Sequence, residues 1–165
     1  MALILIFFLY GCSCGTNLIQ APENVRALAL NDAKYYLGMP YVYGGGDTTG
    51  PRHIASVGEI DCSGLIVNTY KYATLHLGYK LTFSDATVET LYQNDTTIID
   101  APSPGDLIFM SEDSIISHVA LFERQVNGIV YFIDAYSLDG KVEERNYLAT
   151  DPKIKCFGRI NVYAY

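Results

Sequence analysis

A thiol, an imidazole and a carboxylate stand out in this chain for their settings. Cys62 lies in Asp61-Cys62-Ser63-Gly64 at the start of a segment with helical apolar spacing, His118 in Ser117-His118-Val119-Ala120-Leu121-Phe122, and Asp134 in Tyr131-Phe132-Ile133-Asp134-Ala135. At a helix start, unpaired backbone N–H groups and the helix dipole favour a thiolate. Strand alternation puts His118 on one face with Ala120 and Phe122, from which it can project toward that helix start and serve as base. An acid within an apolar strand is costly unless it is paired or hydrogen-bonded, and a charged imidazole would satisfy Asp134. Nucleophile, base and orienter are the set that covalent acyl transfer by a thiolate–imidazolium pair requires. Each residue also has a plainer reading. Asp61 can cap the helix with Cys62 packed inside, His118 can be a surface or core histidine, and Asp134 can be an acceptor at a strand end.

The elements that must position these groups follow from periodicity. Pro22 and Glu23 open a helix in which Val25, Leu28, Ala29, Ala33, Tyr36 and Leu37 share helical spacing, and Gly38 with Pro40 ends it. The glycines between Tyr41 and Ile60 mark a loop. A second helix spans residues 62–77, with Leu65, Ile66, Thr69, Tyr70 and Ala73 on one side and Gly78 as its stop, and a shorter third helix follows Ser84, which can cap it. After the turn cluster Ala101-Pro102-Ser103-Pro104-Gly105, residues 107–110, 118–123, 129–135, 141–145 and 157–165 read as strands. Helices first and strands second predict an α+β fold: an antiparallel sheet of about five strands with the helix beginning at Cys62 packed on one face.

Five segments, taken together, resemble the NlpC and p-sixty family of bacterial cell-wall cysteine peptidases. They are Gly38-Met39-Pro40-Tyr41-Val42-Tyr43-Gly44-Gly45, Asp61-Cys62-Ser63-Gly64-Leu65, Pro104-Gly105-Asp106-Leu107-Ile108-Phe109, Ser117 to Phe122, and Tyr131 to Ser137, in the family's order from about Ala33 to the C-terminus. The resemblance implies a papain-like α+β fold and hydrolysis of peptide bonds in peptidoglycan stems, typically the bond following γ-linked D-glutamate, without cofactor or metal. Carried over, Cys62 is the nucleophile, His118 the base and Asp134 the third polar residue. Tyr41 matches the tyrosine near the oxyanion site, and Asp61 and Ser63 match positions that in some members hold the free amino end of a stem peptide. Three features depart from the pattern: Asp134 stands where the family often has His, the connection over residues 46–60, with Arg52 and His53, is long, and Thr82-Phe83-Ser84 replaces a Pro-Arg-Thr or Pro-Arg-Ser sequence.

Residues 2–10 form an uncharged apolar run, followed by Gly11-Cys12-Ser13-Cys14-Gly15. Nine residues are too few to span a bilayer and match the apolar core of a secretory signal. Leu9-Tyr10-Gly11-Cys12 resembles a bacterial lipobox with Cys12 as the lipidated residue, although Tyr10 is bulky and no Lys or Arg precedes the run; a simply cleaved signal is the alternative. The expected organisation is a lipoprotein-type signal and short tether over residues 1–20 and one peptidase domain over 21–165, held at the extracytoplasmic face of a membrane.

The remaining composition narrows the classes. The 165 residues are 50% hydrophobic, ordinary for one globular domain, and carry a net charge of -7 with no basic patch, which argues against nucleic acid as a partner. With Cys12 lipidated, Cys14, Cys62 and Cys156 are an odd number unsuited to a disulfide framework. His53, His76 and His118 have no Cys or His at metal-ligand spacing, which argues against structural zinc. Three readings remain: a stem-peptide endopeptidase acting on muropeptides, an amidase or acyltransferase of the same fold, and a non-catalytic wall-binding lipoprotein.

Overall fold

Asp61 and Gly78 bracket the helix on which the site depends. Its apolar positions recur every three to four residues, and it runs as α2, Cys62–Leu77, with the Asp61 carboxylate accepting the Gly64 N–H and Gly78 closing it in the left-handed conformation. Buried Thr69 and Thr74 hand their hydroxyls back to the Leu65 and Tyr70 carbonyls, so neither leaves an unsatisfied group in the core. The computed structural model describes residues 17–46 and 59–165. The expected signal with Cys12, and Arg52 and His53 with most of their loop, lie outside the described residues.

In chain order the elements are β1 (Asn17–Gln20), α1 (Glu23–Ala33), α2, β2 (Tyr79–Leu81), α3 (Val88–Thr90), β3 (Thr96–Ile99), β4 (Leu107–Met110), β5 (His118–Val126), β6 (Ile129–Tyr136), β7 (Lys141–Leu148) and β8 (Ile154–Ala164). All strand pairings are antiparallel, in the order β1-β8-β4-β5-β6-β7, with β2 and β3 also on β8. The α+β class and the five strands after residue 105 are as expected, but the sheet has eight strands among the described residues, not about five. The additions are β1, β2 and β3, each of three or four residues and each completed by pairing with the 11-residue β8. Residues 17–20, expected as tether, thus join the sheet. The third helix is a single turn begun by Thr87 rather than Ser84, and it continues as a π-helical turn over Leu91–Asp95.

Alternation along the strands builds two apolar layers. Leu107, Phe109, Val119, Leu121 and Ile133 face α1 and α2, where they pack with Val25, Ala29, Leu65, Ile66 and Tyr70. Ile108, Met110, Ala120, Phe122, Val130 and Phe132 form the other face, partly covered by Tyr147 and Phe157. Each fully buried Leu, Ile or Phe contributes about 1.5–3 kcal/mol, so these layers anchor the sheet under α2.

The turn at Pro104-Gly105-Asp106 fastens helices to sheet. Asp106 is fully buried and accepts from Ser103 N, from Arg159 Nε and Nη2 at 2.8 and 2.7 Å, and from Arg26 Nη1 at 3.4 Å. Tyr70 donates its hydroxyl to the Gly105 carbonyl at 2.6 Å. Gly105 has φ +87°, and a Cβ there would lie 2.3 Å from the Arg26 carbonyl oxygen, so only glycine lets α1 approach this closely. Structural positioning, the role expected for this turn, is the one it has.

A candidate catalytic cleft at the start of helix α2

The first turn of α2 is clasped by the glycine-rich segment before it. Asp61 Oδ1 accepts from Gly64 N at 2.7 Å and from the Ser63 hydroxyl at 3.0 Å, while Oδ2 accepts from Gly44 N at 2.9 Å. Asp61 N donates to the Gly45 carbonyl at 3.2 Å, and Val42 N to that of Ile60 at 3.1 Å. A Cβ on Gly64 would stand 2.5 Å from the Gly45 oxygen, so the clasp needs glycine there. On its far side Tyr41 N donates to Gly140 O at 2.8 Å, tying the segment to the turn between β6 and β7. Asp61 and Ser63, matched by resemblance to substrate-binding positions, therefore bond each other and build the helix start.

This clasp sets Tyr41 at the wall of a cleft of about 680 Å³ that Cys62 and His118 also line. Burial raises the Tyr41 pKa first, and the charges of Cys62, Asp61 and Tyr43 raise it further, so its phenol keeps the O–H it would need as a donor. Cys62 is buried and carries no disulfide.

Base and carboxylate arrive from the sheet. His118 opens β5 and Asp134 sits near the end of β6, on strands paired through Leu121 and Ile133. Alternation puts both on the face bearing Ala120, Phe122 and Phe132, while α2 covers the opposite face. The N-terminus of α2 reaches the start of β5, so that Cys62 and His118 line the same cleft. His118 Nε2 lies 2.6 Å from Asp134 Oδ2, and Asp134 is fully buried. That leaves Nδ1 as the ring nitrogen that can exchange a proton with the thiol. Burial works against the charged imidazole, but the hydrogen bonds and charges of Asp134 and Cys62 outweigh it and raise the His118 pKa to about 9. Cys62, His118, Asp134 and Tyr41 are thus brought together, in an arrangement able to form, stabilise and break an acyl–sulfur bond.

Arg145 is the residue that sequence reasoning missed. It stands on β7 opposite Phe132, a diagonal step from Asp134, and its Nε lies 3.2 Å from Asp134 Oδ1. The contact is an ion pair bent away from hydrogen-bond geometry. A signal existed in the chain: an acid in an apolar strand needs a partner, and the hairpin register about Leu138-Asp139-Gly140 brings Arg145 beside it.

The sequence profile described as the NlpC/P60 family matches residues 38–150. Among solved structures, the chain is similar to NlpC1 from Trichomonas vaginalis, with 22% identity and TM-score 0.60 over 88% of this chain and 46% of that one. NlpC2 from the same organism gives 25% identity and TM-score 0.57 over 86% and 49%. RipD from Mycobacterium tuberculosis, described as a non-catalytic NlpC/p60 domain protein adapted to a peptidoglycan-binding function, gives 20% identity and TM-score 0.55 over 84% and 98%. The chain spans about half the length of the two Trichomonas proteins. No curated protein matches it.

Proposed function

The chain belongs to the NlpC/P60 family, whose members are generally peptidoglycan hydrolases although a non-catalytic one exists, and from that premise we propose that it is a cysteine endopeptidase of peptidoglycan stem peptides. The observation that carries the proposal is the 2.6 Å contact between His118 Nε2 and buried Asp134, made in a cleft whose wall His118 shares with Cys62. A binding module has no need to retain all three groups in working register.

In this reading the Cys62 thiolate attacks the carbonyl carbon of the stem peptide. The tetrahedral oxyanion is met by the Cys62 backbone N–H and the Tyr41 hydroxyl. As the C–N bond breaks, His118 donates its proton to the leaving amine, and it then takes a proton from the water that releases the acyl group from sulfur. The bond after γ-linked D-glutamate is the expected site of cleavage. Lipidation at Cys12 would hold the enzyme against a membrane at its extracytoplasmic face, in reach of the wall.

The test is mass spectrometry of purified muropeptides incubated with the protein, run beside Cys62→Ala. New fragments from the parent alone support the proposal, and their masses separate an endopeptidase from an amidase cutting at the sugar–peptide junction or an acyltransferase joining the acyl group to another amine. Equal hydrolysis by a clean Cys62→Ala preparation refutes it. Binding of muropeptides with no products from either protein would assign the chain to the non-catalytic kind.

A further inference from the structure

With Cys62, His118 and Asp134 taken as the triad proposed above, one half-buried cation in the same cleft still lacks a role. The Arg145 side chain is 13% exposed, and burying a guanidinium is unfavourable unless acceptors surround it. Arg145 has two hydrogen-bond acceptors, Asp139 Oδ2 at 3.0 Å from Nη1 and the Tyr147 hydroxyl at 2.9 Å from Nη2, and an ion pair with Asp134 Oδ1 at 3.2 Å from Nε. Its guanidinium carbon also lies 3.8 Å from the centre of the Tyr136 ring, and Tyr136 packs edge-on against His118 with centroids 5.3 Å apart. It therefore reaches the imidazole through two of that ring's neighbours.

We propose that Arg145 is a positioning residue: by engaging Asp134 Oδ1 and stacking on Tyr136, it keeps Asp134 Oδ2 aimed at His118 Nε2 and so keeps the imidazole turned toward Cys62. The terminal torsion of a carboxylate is broad, so a carboxylate held only by an imidazole can swing. A second fixed partner on the other oxygen removes that freedom. Arg145 also divides the charge of Asp134 between two cations. An imidazolium with sole claim on a buried carboxylate would release its proton to a leaving amine less readily. The charged and titratable groups that face His118 or share its cleft include Cys62 from α2, Asp134 and Tyr136 from β6, Arg145 and Tyr147 from β7, Tyr41 from the clasp, and Glu112 and Lys153 from the flanking turns, which pair with each other at 2.8 Å, while Glu143 on β7 stands opposite Asp134. Glu143 is engaged by Lys141 at 2.8 Å, and Asp134 pairs with both His118 and Arg145.

The experiment titrates the His118 ring by NMR in the full chain, assigned with His118→Gln, and follows Cys62 alkylation by iodoacetamide across pH. Neither readout needs a substrate. Arg145→Met should make His118 hold its proton roughly tenfold more tightly, while kcat on muropeptides falls by up to about 100-fold with KM little changed. Arg145→Lys keeps the charge and loses the fork, so it should titrate near the parent yet alkylate and turn over more slowly, and it decides the matter if Arg145→Met does not fold. A His118 midpoint in Arg145→Met at or below the parent's, or parental rates in Arg145→Lys, overturns the proposal. A parent that cuts no muropeptide while the midpoint still rises in Arg145→Met removes the hydrolase and leaves the role of Arg145. A parent that cuts, with an unmoved midpoint, does the reverse.

Discussion

Asp134 Oδ2 lies 2.6 Å from His118 Nε2 across the paired strands β5 and β6, with the carboxylate sealed from solvent and the imidazole at the cleft wall. The partnership joins an orienting group to a proton carrier, and its consequences separate catalysis, stability and pH.

Replacing Asp134 with Ala should lower kcat by up to about 10⁴-fold with much less change in KM, because His118 loses the partner that sets its tautomer and orientation. It should also destabilise the fold, since half-buried Arg145 would lose one of its two anions and keep Asp139 alone. Steady-state kinetics on muropeptides and urea unfolding read the two effects separately. An unchanged kcat removes Asp134 from the triad.

The pH dependence has a definite sign. The folded-state pKa of His118 is raised from 6.5 to about 9, so the stability it contributes is fully present below pH 6.5 and is lost as pH rises through about 9. Thermal unfolding of the parent against His118→Gln should show that advantage shrink across this interval. The alkaline limb of kcat/KM should fall near pH 9 as well, where the imidazole loses the proton it must give to the leaving amine.

Tyr41→Phe should reduce kcat by about 100-fold, within the range seen when one oxyanion donor is removed, while leaving KM and Tm nearly unchanged. The half-buried phenol lines the cleft beside Cys62 and keeps its proton through burial first and neighbouring negative charge second. Equal kcat for the two proteins would reduce Tyr41 to a packing residue.

Gly64→Ala should impair catalysis more than stability. The new methyl would meet the Gly45 oxygen at 2.5 Å and push the clasp, with Tyr41 on it, away from the first turn of α2. The helix itself gains from Ala, so the helical circular dichroism should persist while muropeptide turnover drops. A fully active Gly64→Ala would show that the clasp does not set the cleft.

Local features were legible because their causes are local. Helix α2 runs between residues 62 and 77, as its cap at Asp61, its apolar spacing and its stop at Gly78 imply. Strands β4 to β7 begin where the short β-branched or aromatic segments between turn residues do, since strand preference and turn residues act within a few positions. The single turn after residue 84 was less legible, because Ser84 and Thr87 are equally good caps in isolation and neighbouring structure chooses between them. Strands β1, β2 and β3 are so short that they exist as strands only because β8 supplies their hydrogen bonds. A run such as Tyr79-Lys80-Leu81 carries no record of a partner more than eighty residues away.

The site divides along the same line. Residue types and motif order pointed to Cys62, His118 and Asp134 before any strand was paired, since thiol, imidazole and carboxylate carry their chemistry with them. The sheet decided which oxygen of Asp134 meets His118 and which meets Arg145, and the clasp decided that Asp61 and Ser63 are hydrogen-bonded to each other where the helix start lines the cleft. Side-chain chemistry and short-range periodicity belong to the sequence by itself. Register between distant strands and the sharing of a buried charge were decided only by the tertiary structure, because their energies arise from contacts that form when the chain closes on itself.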